Sequence, residues 1–412
     1  MTASVDRSVL RSVLRRRRRL RAGLTQLLFV LVGLGLGLAV PGITRGPETP
    51  ARPVVDMLLA TGLGVLGGIA VIFSLLFLVV QWAATTFTPR LTLFRDAPIV
   101  WRTFAFAVGQ AAFCLTATLA IGSRPEVSVA VPVIAGLLLF TMLALLRQLQ
   151  LRAFAAIQLA PVLNSITERG RAILDALYPR VADPTTPPTM TPLPPLRSTV
   201  TWPKAPAVLQ QIDMNLLLTT AQAANAVIVL REIPGTTLQH GTALADVHDG
   251  ELPASAVLDC LVTGDERTFD QDPVLAFRLL ADIALRALSP AVNDPATAVQ
   301  ALDSMEDLLN RSSGARTGLR HVTDRAGAVR VVIRLPGWED FLRTGLDDVI
   351  PAAMNSPMAL IRTRTLLEHL RSRGDAHSHP LLTRRLAWVE EELAGRFPQL
   401  WQETAEDPPA SG

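Results

Sequence analysis

Four stretches of this chain, 22–44, 57–89, 103–123 and 127–146, contain no Asp, Glu, Lys, Arg or His. A helix rises about 1.5 Å per residue, so each stretch is long enough to cross a hydrocarbon core about 30 Å thick. Backbone N–H and C=O groups cannot stay unpaired in lipid, so these stretches are expected to be helices. The apolar share of 49% over 412 residues, high for a purely soluble protein, agrees with an integral membrane protein of four spans.

The arginines between the spans set an orientation. Arg7, Arg11, the run Arg15 to Arg19 and Arg21 precede the first span, Arg90, Arg95 and Arg102 lie between the second and third, and Arg147 and Arg152 follow the fourth. The two opposite loops are mixed in sign, with Arg45, Glu48, Arg52 and Asp56 in one and Arg124 and Glu126 in the other. The excess of positive charge on one side places both termini in the cytoplasm, in a multi-pass protein of the cell's inner (cytoplasmic) membrane. A cleaved signal peptide is the rival reading of the first span, since a basic start leads to Gly37-Leu38-Ala39. Its apolar run exceeds the roughly 7–15 residues of such peptides, and the large C-terminal part stays cytoplasmic either way. Arg15 to Arg19 have a second reading, as a contact for the anionic head groups of membrane lipids.

Without ionisable groups, the spans offer no proton relay. They offer small residues for close helix packing, Gly33, Gly35 and Gly37 in the first span and Gly62, Gly64, Gly67 and Gly68 in the second. In the third, Thr103, Gln110, Cys114 and Thr118 follow at offsets that put them on one helical face. That face either packs on a neighbouring helix or lines a water-filled path, and Gln110 needs a partner in both cases.

Past the spans, helical periodicity continues over 151–178 with an interruption at Pro161, so the fourth span extends into the cytoplasm. Prolines crowd the segment 179–206 and predict an extended linker. From 207 to 400 the pattern is that of an α+β domain with a small β unit and helical hairpins, and a disordered tail is expected at 401–412. Ile212, Leu216 and Leu217 with Ala223 and Ala224 suggest a helix, Ala226 to Leu230 a strand, and Pro234-Gly235 and Gly241 punctuate a β region ending near 243–247. A β-hairpin is expected from 318–323 and 329–335, and helices at 338–349, 355–373 and 380–397. Arg362, Arg364, Arg371, Arg373, Arg384 and Arg385 make the last helices basic, a face balanced by Glu368 and Glu390 to Glu392.

The most distinctive stretch runs from Arg267 through Asp272-Pro273 into a helix over 274–288. Ser289-Pro290-Ala291-Val292-Asn293-Asp294-Pro295 then opens a second helix over 296–310. Asp272 and Asp294 each precede a proline and can cap a helix, with proline in the first helical position. Asp282 and Arg286, four apart, can pair on one face.

The run Arg267-Thr268-x-x-Gln271-Asp272, followed by Asp282-Ile283-Ala284-x-Arg286-Ala287-Leu288-Ser289-Pro290-x-x-Asn293-Asp294-Pro295-x-Thr297-Ala298, resembles the bacterial membrane proteins grouped as Domain of Unknown Function 2254. Thr88-Pro89-Arg90-Leu91, Pro234-Gly235 and Gly241 are similar to that family too. The resemblance covers the chain from the first span to about residue 370, and implies a multi-span architecture with no settled activity.

No phosphate loop, zinc-protease helix or nucleophile elbow is present, and His377-Ser378-His379 lacks acidic or cysteine neighbours. Neither an enzyme nor a bound cofactor or metal is expected. The sparse aromatics and the basic charge gathered near the spans argue against nucleic acid. Two functions stay open. In the first, the chain is one subunit of a homo-oligomeric channel or solute pathway, lined by the Gln110 face and gated by the cytoplasmic domain. In the second, the spans anchor a cytoplasmic sensor or scaffold that binds a small ligand or partner protein. The ligand-binding candidates are Arg267, Thr268, Gln271, Asp272, Ser289, Asn293, Asp294 and Thr297.

Overall fold

The structure, a computed structural model, describes residues 16–43, 46–86, 98–178, 193–313, 318–374 and 378–400, without the side chains of 16–23, 79–80, 82–86, 98, 155–157 and 318. The side chains of Arg15 to Arg19, the Thr88 to Leu91 motif, linker residues 179–192, His377 and the tail 401–412 lie outside the described residues. The chain divides into two compact units, one covering 14–162 and the other starting at Leu163.

The first unit holds four helices long and apolar enough to cross a membrane: α1 (Arg16–Ala39), α2 (Ala51–Thr86), α3 (Pro98–Ile121) and α4 (Ala130–Ile157). Half of the apolar window of α3 is buried against 17–22% in the other three, which makes α3 the central helix. Glycine allows its closest contact: a Cβ on Gly33 would stand 2.1 Å from the Gly109 carbonyl oxygen, so α1 and α3 meet backbone to backbone. A Cβ on Gly37 would come within 2.7 Å of Thr116 Cβ, and one on Gly62 within 3.0 Å of Cys114 Cβ. Gly35, Gly64, Gly67 and Gly68, expected to serve packing as well, meet nothing within 4 Å. Phe29 packs edge-on against Phe106, and Phe73 against Phe104. Leucines and phenylalanines such as Leu119, Phe140 and Phe77 point outward, as a lipid-facing surface requires. At one end a short antiparallel ribbon, β1 (Glu48–Pro50) with β2 (Glu126–Ser128), ties two loops together. Arg124 donates to the Pro41 carbonyl beside it at 2.7 Å.

A single extended residue, Gln158, separates α4 from α5 (Leu159–Leu177), and Pro161 falls in the first turn of α5, where its missing N–H removes no helical bond. The interruption expected at Pro161 is therefore a break three residues earlier. From Leu163 on, α5 belongs to the second unit.

Among the described residues that unit contains two sheets. The larger has the order β3 (Leu196–Thr201), β7 (Ala243–Asp249), β5 (Ala226–Leu230), β10 (Val329–Leu335), β9 (Gly318–Thr323). Of these pairings, β5 with β10 is parallel, with Val331 opposite Ile228, and the others are antiparallel. The smaller is β6 (Thr237–Leu238), β4 (Ala207–Ile212), β8 (Leu261–Gly264), all antiparallel. Both share one apolar core with α6 (Met214–Ala223) and α7 (Ala254–Leu258), built from Leu209, Ile212, Leu217, Ile228, Val247 and Val331 among others.

The remaining helices form a layer of their own: α8 (Leu275–Leu288), α9 (Pro295–Arg311), α10 (Trp338–Leu346), α11 (Val349–Ala353), α12 (Pro357–Arg373) and α13 (His379–Arg396). Phe277 of α8 stacks on Phe341 of α10 at 4.8 Å, and Tyr178 meets the same ring edge-on. Burial pushes the Tyr178 hydroxyl pKa up, and the hydroxyl donates to the Pro336 carbonyl at 2.5 Å.

Three expectations change. Residues 196–201, assigned to the proline-rich linker, form β3, because Ser198, Thr199 and Val200 find a pairing partner in β7. Ile212 ends strand β4 instead of opening a helix, which starts at Met214 behind the cap Asp213. The helix expected at 338–349 ends at Leu346, and a second begins at Val349.

Candidate functional site

The eight ligand candidates fall into two groups at opposite ends of α8, whose 14 residues span about 20 Å. At its N-terminal end, the Asp272 carboxylate, 1% exposed, accepts Nε of Arg267 at 2.6 Å and Nη2 at 2.9 Å. Its Oδ1 also accepts the backbone N–H groups of Val274 and Leu275 at 3.1 Å, so one side chain closes the turn leading into α8 and holds a bidentate arginine. The helix opens at Leu275 with Val274 in the cap position, so Asp272 and Pro273 stand ahead of the cap and first helical position expected for them. Gln271 completes the strand edge: its Nε2 donates to the Ile212 carbonyl at 3.0 Å and its Oε1 accepts the Ile212 N–H at 2.9 Å. Gln210 of β4 donates to the Glu266 carbonyl at 2.7 Å. The Pro234-Gly235 turn packs on the ion pair, and a Cβ at Gly235 would stand 2.4 Å from Asp272 Oδ2. Arg169 of α5 lies over the Phe269 ring, 5.4 Å from its centroid. The loop 265–274 thus joins the small sheet, the helical layer and α5. Thr268 stands within it with its Oγ1 buried and unpartnered among the described residues.

At the other end, the Ser289 to Thr297 run builds the corner between α8 and α9. Ser289 Oγ donates to the Arg286 carbonyl at 2.7 Å, and the Ser289 carbonyl accepts the N–H groups of Val292 and Asn293. Asn293 adopts φ +49°, a left-handed conformation that asparagine tolerates better than most residues. Asp294 Oδ1 caps α9 by accepting the Thr297 N–H at 3.1 Å, and Thr297 Oγ1 donates to Asp294 Oδ2 at 2.6 Å. Asp282 bonds Arg278 at 2.8 Å, on the N-terminal side, where the spacing had pointed to Arg286. Local geometry accounts for Ser289, Asp294 and Thr297, whereas the exposed Asn293 side chain makes no hydrogen bond among the described residues.

The polar face of the third span turns into its own bundle. Thr103 and Cys114 are fully buried and Gln110 is 2% exposed. Both side-chain polar atoms of Gln110, and the hydroxyls of Thr103 and Thr118, have no hydrogen-bond partner among the described residues. An amide held this way in an apolar setting costs about 2–7 kcal/mol. A pathway along an axis shared by several copies would need this face on the bundle surface.

Two features are invisible in the sequence because they are assembled from distant segments. An open cleft of about 440 Å³ lies at the C-terminal ends of the parallel pair β5 and β10, lined by Leu230, Arg231, Glu232, Ala243, Leu319 and Arg334. Arg231 is fixed by Asp246 at 2.8 Å. Burial works against the Asp246 charge, but the hydrogen bonds from Arg231 and Thr199 outweigh it and hold its pKa below the usual carboxylate range. The second feature neutralises basic helix residues. Arg362 of α12 bonds Asp303 and Glu306 of α9, Glu306 also meets His369 at 3.0 Å, and Arg385 pairs with Asp347.

Four apolar helices joined to an α+β unit define a membrane protein with a substantial domain outside the spans. The chain belongs to the family described as predicted membrane protein, Domain of Unknown Function 2254, which matches residues 22–369. An uncharacterised protein of Mycobacterium bovis and one of Mycobacterium tuberculosis strain H37Rv are each 27% identical over 373 residues, covering 82% of this chain and 69% of the relative. No solved structure matches the chain significantly.

Proposed function

We propose that the protein is a sensor or scaffold anchored in the cytoplasmic membrane, in which α4 and α5 carry changes in the spans to a cytoplasmic α+β domain. The observation behind this reading is that α5 meets three elements of the second unit. Arg171 bonds Asp307 at 2.8 Å and Arg311 bonds Asp175 at 2.5 Å, tying α5 to α9. Gly170 lets α5 approach so closely that a Cβ there would be 2.8 Å from that of Ala276 in α8. Arg320 donates to the Leu177 carbonyl at 2.8 Å, closing the last turn of α5 onto the sheet. In this reading a shift of α4 enters the second unit along the chain, through Gln158 and the start of α5. The loop 265–274, bound to α5 through Arg169 and Phe269, is where it reaches the sheets, and the cleft at Arg231, Glu232 and Arg334 is a place for a ligand or partner to bias the same elements. Both termini are cytoplasmic in this reading, and Arg15 to Arg19 rest on anionic lipid heads.

The test is hydrogen exchange on the full chain in nanodiscs of short-chain and long-chain lipids. Exchange in α5 and the loop 265–274 is expected to differ several-fold between the two bilayers, while the β5 and β7 core stays unchanged. Identical exchange in α5 and the loop would sink the reading.

A second reading, a solute pathway, is favoured by the buried Gln110 face alone, and places the path inside one bundle instead of between copies. Reconstituted vesicles that show no flux of any small neutral solute would remove it.

A further inference from the structure

Between α2 and α4 the span bundle leaves an outward-facing groove of about 220 Å³. Gly64, Gly68 and Ile69 of α2 line one wall, and Leu139, Leu143 and Leu146 of α4 the other. Val65, Ile69 and Met142, at its base, pack with Ala107, so α3 stands behind it. The glycines open the groove: a Cβ on Gly64 or Gly68 would meet nothing within 4 Å, while Leu139 and Leu143 opposite are exposed. Its α2 wall, from Thr61 to Ile69, is about 12 Å long. The lining is almost wholly apolar.

A gap of this kind forfeits dispersion contacts unless something fills it. A cavity of about 150 Å³ takes a benzene ring, so this one has room for a length of hydrocarbon chain. What stands at its end decides between occupants. Arg147 lies one turn beyond Leu143 on the same face of α4, and Gln150 one turn beyond Leu146. Both are exposed, and Arg147 makes no hydrogen bond or ion pair among the described residues. A guanidinium at the end of an apolar groove matches a lipid, whose chain is apolar and whose phosphate accepts paired N–H groups from arginine. A second copy fits less well. Copies related by an axis along the membrane normal bring like ends together, and at this end residues 87–102 and 147–157 carry Arg90, Arg95, Arg102, Arg147 and Arg152 against Asp96 alone. We propose that the groove between α2 and α4 binds one anionic phospholipid, with an acyl chain lying over Gly64 and Gly68 and the head-group phosphate held by Arg147 with Gln150 beside it. The site does not rest on the sensor reading, since a lipid fills the groove whether or not α4 passes a signal on.

The experiment is native mass spectrometry of the full chain in mild detergent, titrated with dioleoyl phosphatidylglycerol or dioleoyl phosphatidylcholine. The first phosphatidylglycerol is expected to bind about tenfold more tightly than the next one, and than phosphatidylcholine, as a charge-assisted arginine contact allows. Gly64→Leu combined with Gly68→Leu puts side chains into the groove and should lower that first affinity about fivefold or more. Gly67→Leu, on α2 but outside the lining and equally free of contacts, should leave it unchanged. Arg147→Gln should bring phosphatidylglycerol down to the level of phosphatidylcholine, and because Arg147 is exposed this variant keeps the test decisive if the leucines disturb the helix pair. Equal successive affinities in the native chain would show ordinary boundary lipid and overturn the proposal. An undiminished first affinity in the groove-filling variant or in Arg147→Gln, with helical content unchanged, would overturn it too. A native dimer that the groove-filling variant separates into monomers would assign the groove to a second copy, with the same consequence.

Discussion

At residue scale, Gly235 and Asn293 separate what a side chain does from what the backbone requires. Gly235 has φ +100° and its missing Cβ leaves room for Asp272, so Gly235→Ala should both strain the turn and push on the Arg267 pair. The expected loss is about 3 kcal/mol, read as a shift of the denaturant midpoint. Gly241→Ala, at φ +85° with nothing within 4 Å, carries the strain alone and should cost about 1 kcal/mol. For Asn293, Asn293→Gly should leave stability within about 0.5 kcal/mol, whereas Asn293→Val should cost about 1–2 kcal/mol in thermal unfolding. Equal losses in the two variants would show that the Asn293 side chain does more than allow its backbone angle. The Asp294-Pro295 step and its cap were legible in the sequence because a cap is a local device, whereas Asp272 closes a turn ahead of α8, whose cap position is Val274. The Arg267 partner was not legible either, since Asp272 was read as a cap with no sign that it held an arginine.

At the scale of elements, the corner between α8 and α9 rests on a coupled pair. Asp294→Ala should cost about 1 kcal/mol by loss of the cap. Thr297→Ala added to it should cost little more, because both substitutions remove the same 2.6 Å hydrogen bond. Fully additive losses in a double-mutant cycle would break that account. The hairpin of β9 and β10 supplies a pH dependence. Arg330 at 2.8 Å and the N–H groups of Ala326 and Ala328 hold the Asp324 carboxyl below its ordinary pKa. A carboxylate whose folded pKa is depressed contributes stability above its unfolded value, about 3.9, and loses it as pH falls through the folded value. Chemical denaturation from roughly pH 5 down to pH 2 should therefore show a steeper fall for the native chain than for Asp324→Asn. The hairpin itself was legible because two strand-like runs flank a polar turn. Strands β4 and β8 were not: β4 is short, and its apolar residues fit a helix until the pairing with β6 and β8 is known.

For the whole molecule, the division at Leu163 sets how it should unfold. The span helices keep all their backbone bonds within themselves, while the second unit depends on long-range sheet pairing and side-chain packing. In detergent, rising denaturant is expected to remove the near-UV signal of Trp202 and Trp338 in one step, with much of the helical signal persisting beyond it. A single coincident transition at both wavelengths would show that the units unfold together. The sequence by itself determined the four apolar helices, the α+β character of the C-terminal half and the family, because length, charge and alternation act within a few residues of one another. It also named Gln110 and its face. Only the tertiary structure decided that this face looks into its own bundle, that the ligand candidates split between the two ends of α8, and that two ion pairs join α5 to α9. Each of those depends on which segments distant along the chain come to lie side by side, and contacts between distant segments leave no periodic trace in a single sequence.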